Sequence, residues 1–248
     1  FCTSDAANEA LCADFAESSN RIHYFANEEK DKDKQESDNT TTTLPKLNKV
    51  GHGLHLPADN VFGRYTRSPA IRHLLQTLGW TQAVVPQSMY IFKHQNDVVH
   101  AHQDSTFLHT TPSLSCLGLW LNLATRATLE NGCLWVRPGS HREGLRRQYV
   151  KSTKGDAMFA MNKLEEDTKY DGTLPENLLQ AGFVPVECNE GDLVVFVGTL
   201  DHLSAQNTTN IARPTFQLHC IDTGMGRRWS SSNWLQYPNG EPFLRLTG

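Results

Sequence analysis

The chain has 248 residues, 38% of them apolar and 20% charged, with a formal net charge of −4. That length allows one large core or two small ones, and the composition is that of an ordinary globular chain. The acidic balance gives no electrostatic footprint for nucleic acid, and no apolar run approaches the roughly 18–20 residues that span a bilayer.

The first residue is Phe1 rather than methionine, so the chain reads as beginning inside a longer protein, with one domain over 1–248. Residues 28–43, "EEKDKDKQESDNTTTT", hold no apolar anchor. Burial cannot offset the ordering entropy of such a stretch, and a solvated, disordered loop is expected. "SPAIRHLLQTLGW" predicts a helix, with Ser68 as N-cap, Pro69 in the first turn and Gly79 as the C-terminal cap. Ile71, Leu74, Leu75 and Leu78 then form one apolar face, with His73 off it.

From residue 84 the period becomes two. "VVPQSMYIF", "DVVHAHQDSTFLH", "CLGLWLNLA", "GCLWVRP", "GDLVVFVG" and "TFQLHCI" read as short strands separated by turn residues. Leu117, Leu119, Leu121 and Leu123 share one face against Gly118, Trp120 and Asn122. Phe216, Leu218 and Cys220 alternate with Arg213, Thr215, Gln217 and His219 in the same way. The pattern predicts a mainly β fold, a jelly roll whose apolar outer layer packs on helices around a polar, ligand-holding interior. Residues 151–180 break the strand pattern and are expected to be a lid inserted between metal-bearing strands. The six cysteines have no CxxC spacing, and several lie in apolar runs as small buried hydrophobes, which points to a reducing, cytoplasmic location.

"HAHQD" at 100–104 carries the chemistry. On a strand, His100, His102 and Asp104 share a face. His202 in "GTLDHLSAQN" offers a third ligand to His102 and Asp104. Two imidazoles and a carboxylate form the facial set of non-haem Fe(II) oxygenases, which leaves coordination positions open. Arg213, eleven residues on, has the planar fork that suits a carboxylate. Three alternatives stay open on spacing alone: unconnected polar residues at strand ends, a zinc site, and a cupin-type metal protein with His100 as a ligand. The cupin pattern lacks its expected glutamate here.

Seven stretches, "NKVGHGLH", "QSMYIFK", "HQDSTFLHT", "LENGCLWVRPGSH", "HLSAQN", "ARPTFQLH" and "NWLQ", cover residues 47–236 in order. With them the sequence resembles the phytanoyl-CoA dioxygenase family of Fe(II)- and 2-oxoglutarate-dependent oxygenases. The resemblance implies a double-stranded β-helix (jelly roll) with flanking α-helices. It implies His102, Asp104 and His202 as iron ligands, with His102 and Asp104 also bordering the co-substrate. It places Lys49, Met89, Trp120, Ser204 and Arg213 against 2-oxoglutarate; for Met89 and Trp120, ordinary core packing is the competing reading. His100 is left as a neighbour of the metal ligands, and Gln103 has no assigned role. The implied reaction converts 2-oxoglutarate and O2 to succinate and CO2 while hydroxylating a small molecule that the residues do not name, with ascorbate as an auxiliary reductant. A non-catalytic binder of metal and 2-oxoglutarate is the rival from another class. The chain departs from the family in lacking its N-terminal segment, in residues 28–43, and in an interval before "HQD" about two residues short. The C-terminal Leu-Thr-Gly is not the peroxisomal Ser-Lys-Leu.

Overall fold

Alternating side chains give the protein two facing antiparallel sheets. The computed structural model describes residues 18–26, 46–124, 126–152, 159–165, 170–237 and 240–248. The expected loop at 28–43 lies outside them. In chain order the longer strands are β1 (Ile22–Ala26), β2 (Leu47–His52), β3 (Ala83–Lys93), β4 (Val99–His102), β5 (Leu117–Asn122) and β6 (Leu134–Val136). They continue with β7 (Arg147–Lys151), β8 (Phe159–Lys163), β9 (Val184–Val186), β10 (Leu193–Val197), β11 (His202–Ser204) and β12 (Arg213–Asp222). Helices α1 (Val61–Thr66) and α2 (Pro69–Thr77) lie between β2 and β3. The larger sheet runs β1-β2-β3-β12-β5-β10, with Leu244–Arg245 beside β3; the smaller runs β9-β6-β11-β4. This is the jelly roll with flanking helices that the patterning predicts.

The larger sheet separates its two faces as the alternation requires. Register pairs Lys93 with Arg213, Met89 with Gln217, Gln217 with Trp120, and His219 with Gly118. These residues line the interior cavity. The intervening Leu119, Phe216 and Leu218 belong to the main apolar cluster, on the opposite face. That face is covered by α2, whose Ile71 and Leu75 are buried in the same cluster. The Ser68 side chain accepts from Ile71 N at 3.4 Å to cap the helix, and Gly79 takes φ +77° beyond its end.

Two expectations are corrected, and two strands are added. Leu78 is half exposed, because α2 ends at Thr77 and its apolar face runs out there. Strands β1 and β2 were not legible as strands, since Gly51 and the charged flanks dilute their alternation. The predicted strand over "DVVHAHQDSTFLH" stops at His102, and Asp104–Thr106 form a 3-10 turn. Within 151–180 the chain makes a further strand, β8, paired in register with β7; residues 153–158 and 166–169 lie outside the described set. Cys116, Cys133, Cys188 and Cys220 are buried free thiols. Among the described residues no helix is long and apolar enough to cross a membrane.

Candidate functional site

His102 is the last residue of β4 and His202 the first of β11, and register sets them opposite each other across the smaller sheet. Asp104 reaches the same point from the 3-10 turn. Its Oδ1 lies 3.6 Å from His102 Nε2 and 3.5 Å from His202 Nε2. The three form the one metal-competent cluster found among the described residues. Each imidazole is oriented by a carbonyl two residues back: His102 Nδ1 donates to His100 O at 2.8 Å, and His202 Nδ1 to Leu200 O at 3.0 Å. A carbonyl can only accept, so both Nδ1 atoms carry a proton, and an Nε2 that gives up any proton it shares with Asp104 offers its lone pair to a metal. His100 therefore contributes its backbone; its side chain is exposed and outside the cluster.

The Asp104 carboxylate is held on its other edge as well. Its Oδ2 lies 3.3 Å from His219 Nε2, and Gln87 Nε2 donates to His219 Nδ1 at 3.3 Å. Burial disfavours the charge on Asp104. The charges of His219 and His202 and hydrogen bonds from His102 and His202 outweigh that penalty and hold its carboxyl well below the usual range. Burial likewise opposes protonation of His202, but Asp104 raises its pKa overall. Gly118 makes room for this arrangement: a Cβ there would lie 2.7 Å from Asp104 Oδ2 and 2.7 Å from the Phe196 ring.

Neighbouring residues fix the two ligand-bearing loops. Gln103 is fully buried, donating to Gly144 O and Thr199 O and accepting from Arg146 N. Beside His202, Asp201 accepts from Arg137 Nε at 2.8 Å and pairs with Arg146, which also holds Asp171 at 2.8 Å. "VRPGSH" is thus a clasp: the Arg137 side chain donates to the Asp201 carboxylate, and Ser140 Oγ accepts from the Asp201 backbone N–H.

A cavity of about 390 Å³ opens from the triad between the sheets. Lys49, Met89, Trp120, Ser204 and Arg213 all line it, as do His102, Asp104 and His202. Arg213 is 2% exposed; its Nη2 donates to Ser204 Oγ at 3.3 Å and its guanidinium lies 5.0 Å from the Trp120 ring. Among the described residues its Nε and Nη1 find no hydrogen-bond partner. Burial pulls its pKa down to about 10. Lys49, also lowered by burial, lies 4.3 Å from the Phe25 ring centroid. Trp120 and Met89 line the cavity on the face opposite the main apolar cluster, and Trp120 also packs in a second buried apolar cluster with Leu134 and Phe196.

Among the lining residues to which sequence reasoning gave no role are Lys93, Gln87 and His219. Period two from Met89 reaches both Gln87 and Lys93, and period two from Arg213 reaches His219, so the signal was present in the alternation.

The model of the family described as Phytanoyl-CoA dioxygenase (PhyH) matches residues 2–215. The chain belongs to this family. It is 43% identical over 192 residues to Phytanoyl-CoA dioxygenase 1 of Oryza sativa subsp. japonica, covering 77% of this chain and 62% of that protein. It is 40% identical over 203 residues to Phytanoyl-CoA dioxygenase domain-containing protein 1 of Rattus norvegicus, covering 81% and 65%. The chain thus spans a little under two thirds of the length of these relatives. The crystal structure of the epimerase SnoN in complex with Fe3+, alpha ketoglutarate and nogalamycin RO superposes with a TM-score of 0.57. That match has 17% identity and covers 82% of this chain and 77% of that one, a likeness of fold.

Gly118→Ala tests the geometry around Asp104. The new methyl group displaces the carboxylate or the Phe196 ring, and loss of such support typically lowers metal affinity about 10–100-fold. Calorimetric titration with Mn(II) should show that loss with circular dichroism unchanged; wild-type affinity would mean that Asp104 is not held against Gly118.

Proposed function

We propose that this protein is an Fe(II)- and 2-oxoglutarate-dependent dioxygenase that hydroxylates a small molecule. The observation that carries the reading is the Arg213 guanidinium, buried with two nitrogens unpartnered in the cavity that also holds the His102–Asp104–His202 set. A buried cation without a partner is strongly disfavoured unless an anion joins it.

The donor set fits iron: two neutral imidazole nitrogens and one carboxylate leave positions for further ligands. The cavity fits 2-oxoglutarate. His202 and Ser204 sit two residues apart on one face of β11, roughly 7 Å along the strand, a span suited to a five-carbon dicarboxylate. One carboxylate end then belongs with the triad, and the other meets Arg213 with Ser204 Oγ beside it. Lys49 adds positive charge to the wall, and Trp120 and Met89 supply apolar surface against the carbon chain. When bound, iron supplies the oxidation of 2-oxoglutarate by O2 to succinate and CO2, coupled to hydroxylation; ascorbate serves as a reductant. The protein's own contribution is to fix the ligands through the His100 and Leu200 carbonyls, to neutralise the co-substrate, and to keep water out. SnoN, of the same fold, holds Fe3+ and alpha ketoglutarate, which agrees with this assignment.

The substrate side of the cavity is bounded by Phe107, Tyr149 and Trp234. Tyr149 lies on β7, whose partner β8 belongs to the 151–180 segment, and Phe159 of β8 packs on Tyr149 at 5.7 Å. We assign this segment the role of a cover over the substrate.

A screen for succinate formation with Fe(II), 2-oxoglutarate and O2 tests the activity. A charge-assisted hydrogen bond contributes about 1.5–3 kcal/mol, so Arg213→Ala should raise the KM for 2-oxoglutarate roughly ten- to hundredfold. Iron content should hold in that variant, while His102→Ala should lose both iron and turnover. Unchanged KM in Arg213→Ala, or full activity in His102→Ala, would contradict the assignment. Proteolysis within 151–180 should slow when substrate joins 2-oxoglutarate in the site; cleavage unaffected by a turning-over substrate would contradict a cover.

A further inference from the structure

Each member of the triad has a sequence neighbour held by one buried arginine. Arg146, just before β7, is 3% exposed and lies outside the cavity lining. Its backbone N–H donates at 3.2 Å to Oε1 of Gln103, the residue between His102 and Asp104. Its Nη2 donates to the carboxylate of Asp201, the residue before His202. The same guanidinium grips Asp171 with two nitrogens, Nη2 on Oδ1 at 2.8 Å and Nε on Oδ2 at 3.2 Å. Next to Asp171, Gly172 N donates to Ala101 O at 2.7 Å and Ala101 N donates to Thr173 O at 2.8 Å, which pins the residue before His102. Gln103, Asp171 and Asp201 are all buried, so these links do not run through solvent.

Stability alone does not call for such an arrangement. Its charges lose their hydration, and a buried ion network is often no more stable than apolar residues of the same volume. What it does supply is direction. A guanidinium is a planar fork with five donors at fixed angles, so two carboxylates on one fork are set relative to each other as well as to it. Arg137 and Ser140 also hold Asp201, but among the described residues neither bonds to Gln103 or Asp171.

We propose that Arg146 is a positioning residue for the metal centre. It holds the strand end at His102, the turn at Asp104 and the loop at His202 in one mutual geometry, and through Asp171 it places the turn at 170–173 under the same constraint. This rests on the metal-site reading above. Linkage makes the effect reciprocal: if the brace favours the geometry that binds metal, bound metal stabilises the brace by the same factor. Metal occupancy is then felt at Gly172, on a turn that carries no metal ligand.

The test titrates Mn(II) into the full chain by calorimetry and examines the bound ion by electron paramagnetic resonance. Arg146→Lys keeps the charge but loses the fork, so one ammonium cannot hold both carboxylates in fixed directions. Loss of such outer support typically lowers metal affinity about 10–100-fold. The variant should show that loss and a broadened Mn(II) spectrum, with circular dichroism unchanged. Asp171→Asn leaves the Arg146–Asp201 pair in place and should fall between wild type and Arg146→Lys. Hydrogen exchange at 170–173 should slow when Mn(II) binds the wild type, and much less in Arg146→Lys. A merely structural arginine would lower the melting temperature of the metal-free protein on substitution. Well below that temperature it would leave Mn(II) affinity, spectrum and exchange response as in the wild type, and that result would overturn the assignment. Should Arg146→Lys not fold, wild-type affinity in Asp171→Asn, or wild-type exchange at 170–173 indifferent to Mn(II), would overturn it alone. An Mn(II) affinity unmoved by His102→Ala would instead overturn the metal reading, and this inference with it.

Discussion

A guanidinium buried without a carboxylate is unstable by itself, and the interior of this fold keeps Arg213 in that condition. The jelly roll makes it possible by turning its larger sheet inside out. Leu119, Phe216 and Leu218 face the helices, where Ile71 and Leu75 complete an ordinary apolar core. The face turned toward the smaller sheet is then free to carry Lys93, Arg213, Gln217 and His219 without losing the burial that stabilises the domain.

Charge balance differs sharply between the cavity and the scaffold next to it. Arg137 and Arg146 are matched by Asp201, Asp171 and Glu143 in a buried network that ties the loop before His202 to the start of β7. There, every guanidinium finds a carboxylate. In the cavity, Asp104 lies among three histidines, and Arg213 lies beside Lys93, where among the described residues no acid is in ion-pair contact with either. The first is a donor set suited to a cation, and the second a cationic set suited to an anion. A molecule that bears an anionic end and can also ligate a metal satisfies both at once.

Much of this was legible in the sequence. Period-two alternation located β3, β5, β10 and β12 and gave the outward face of β5 and β12 its leucines and Phe216. The His102, Asp104 and His202 set followed from spacing and resemblance, and the structure brings the three together. What the sequence hid was long-range. Asp104 was assigned to a strand because local alternation cannot show where β4 stops; the 3-10 turn brings it to the same point by another path. Lys93, a lone lysine at a strand end, looks like a solvated terminus until β12 places Arg213 beside it. The contact of His219 with Asp104 depends on a glycine, Gly118, on a third strand. The helix from Ser68 overran by one apolar residue, Leu78, since position in a heptad does not say where the neighbouring sheet ends.

The central claim is that one ligand bridges the triad and the cationic end of the cavity, and thermodynamic coupling tests it most directly. Affinity for 2-oxoglutarate should be measured with and without Mn(II), and affinity for Mn(II) with and without 2-oxoglutarate. A bridging ligand must tighten each by the same factor, and coupling of about 1–3 kcal/mol corresponds to roughly 5–150-fold. Equal, reciprocal enhancement in that range is the predicted result. Independent binding, with each affinity unmoved by the other ligand, would contradict a shared site.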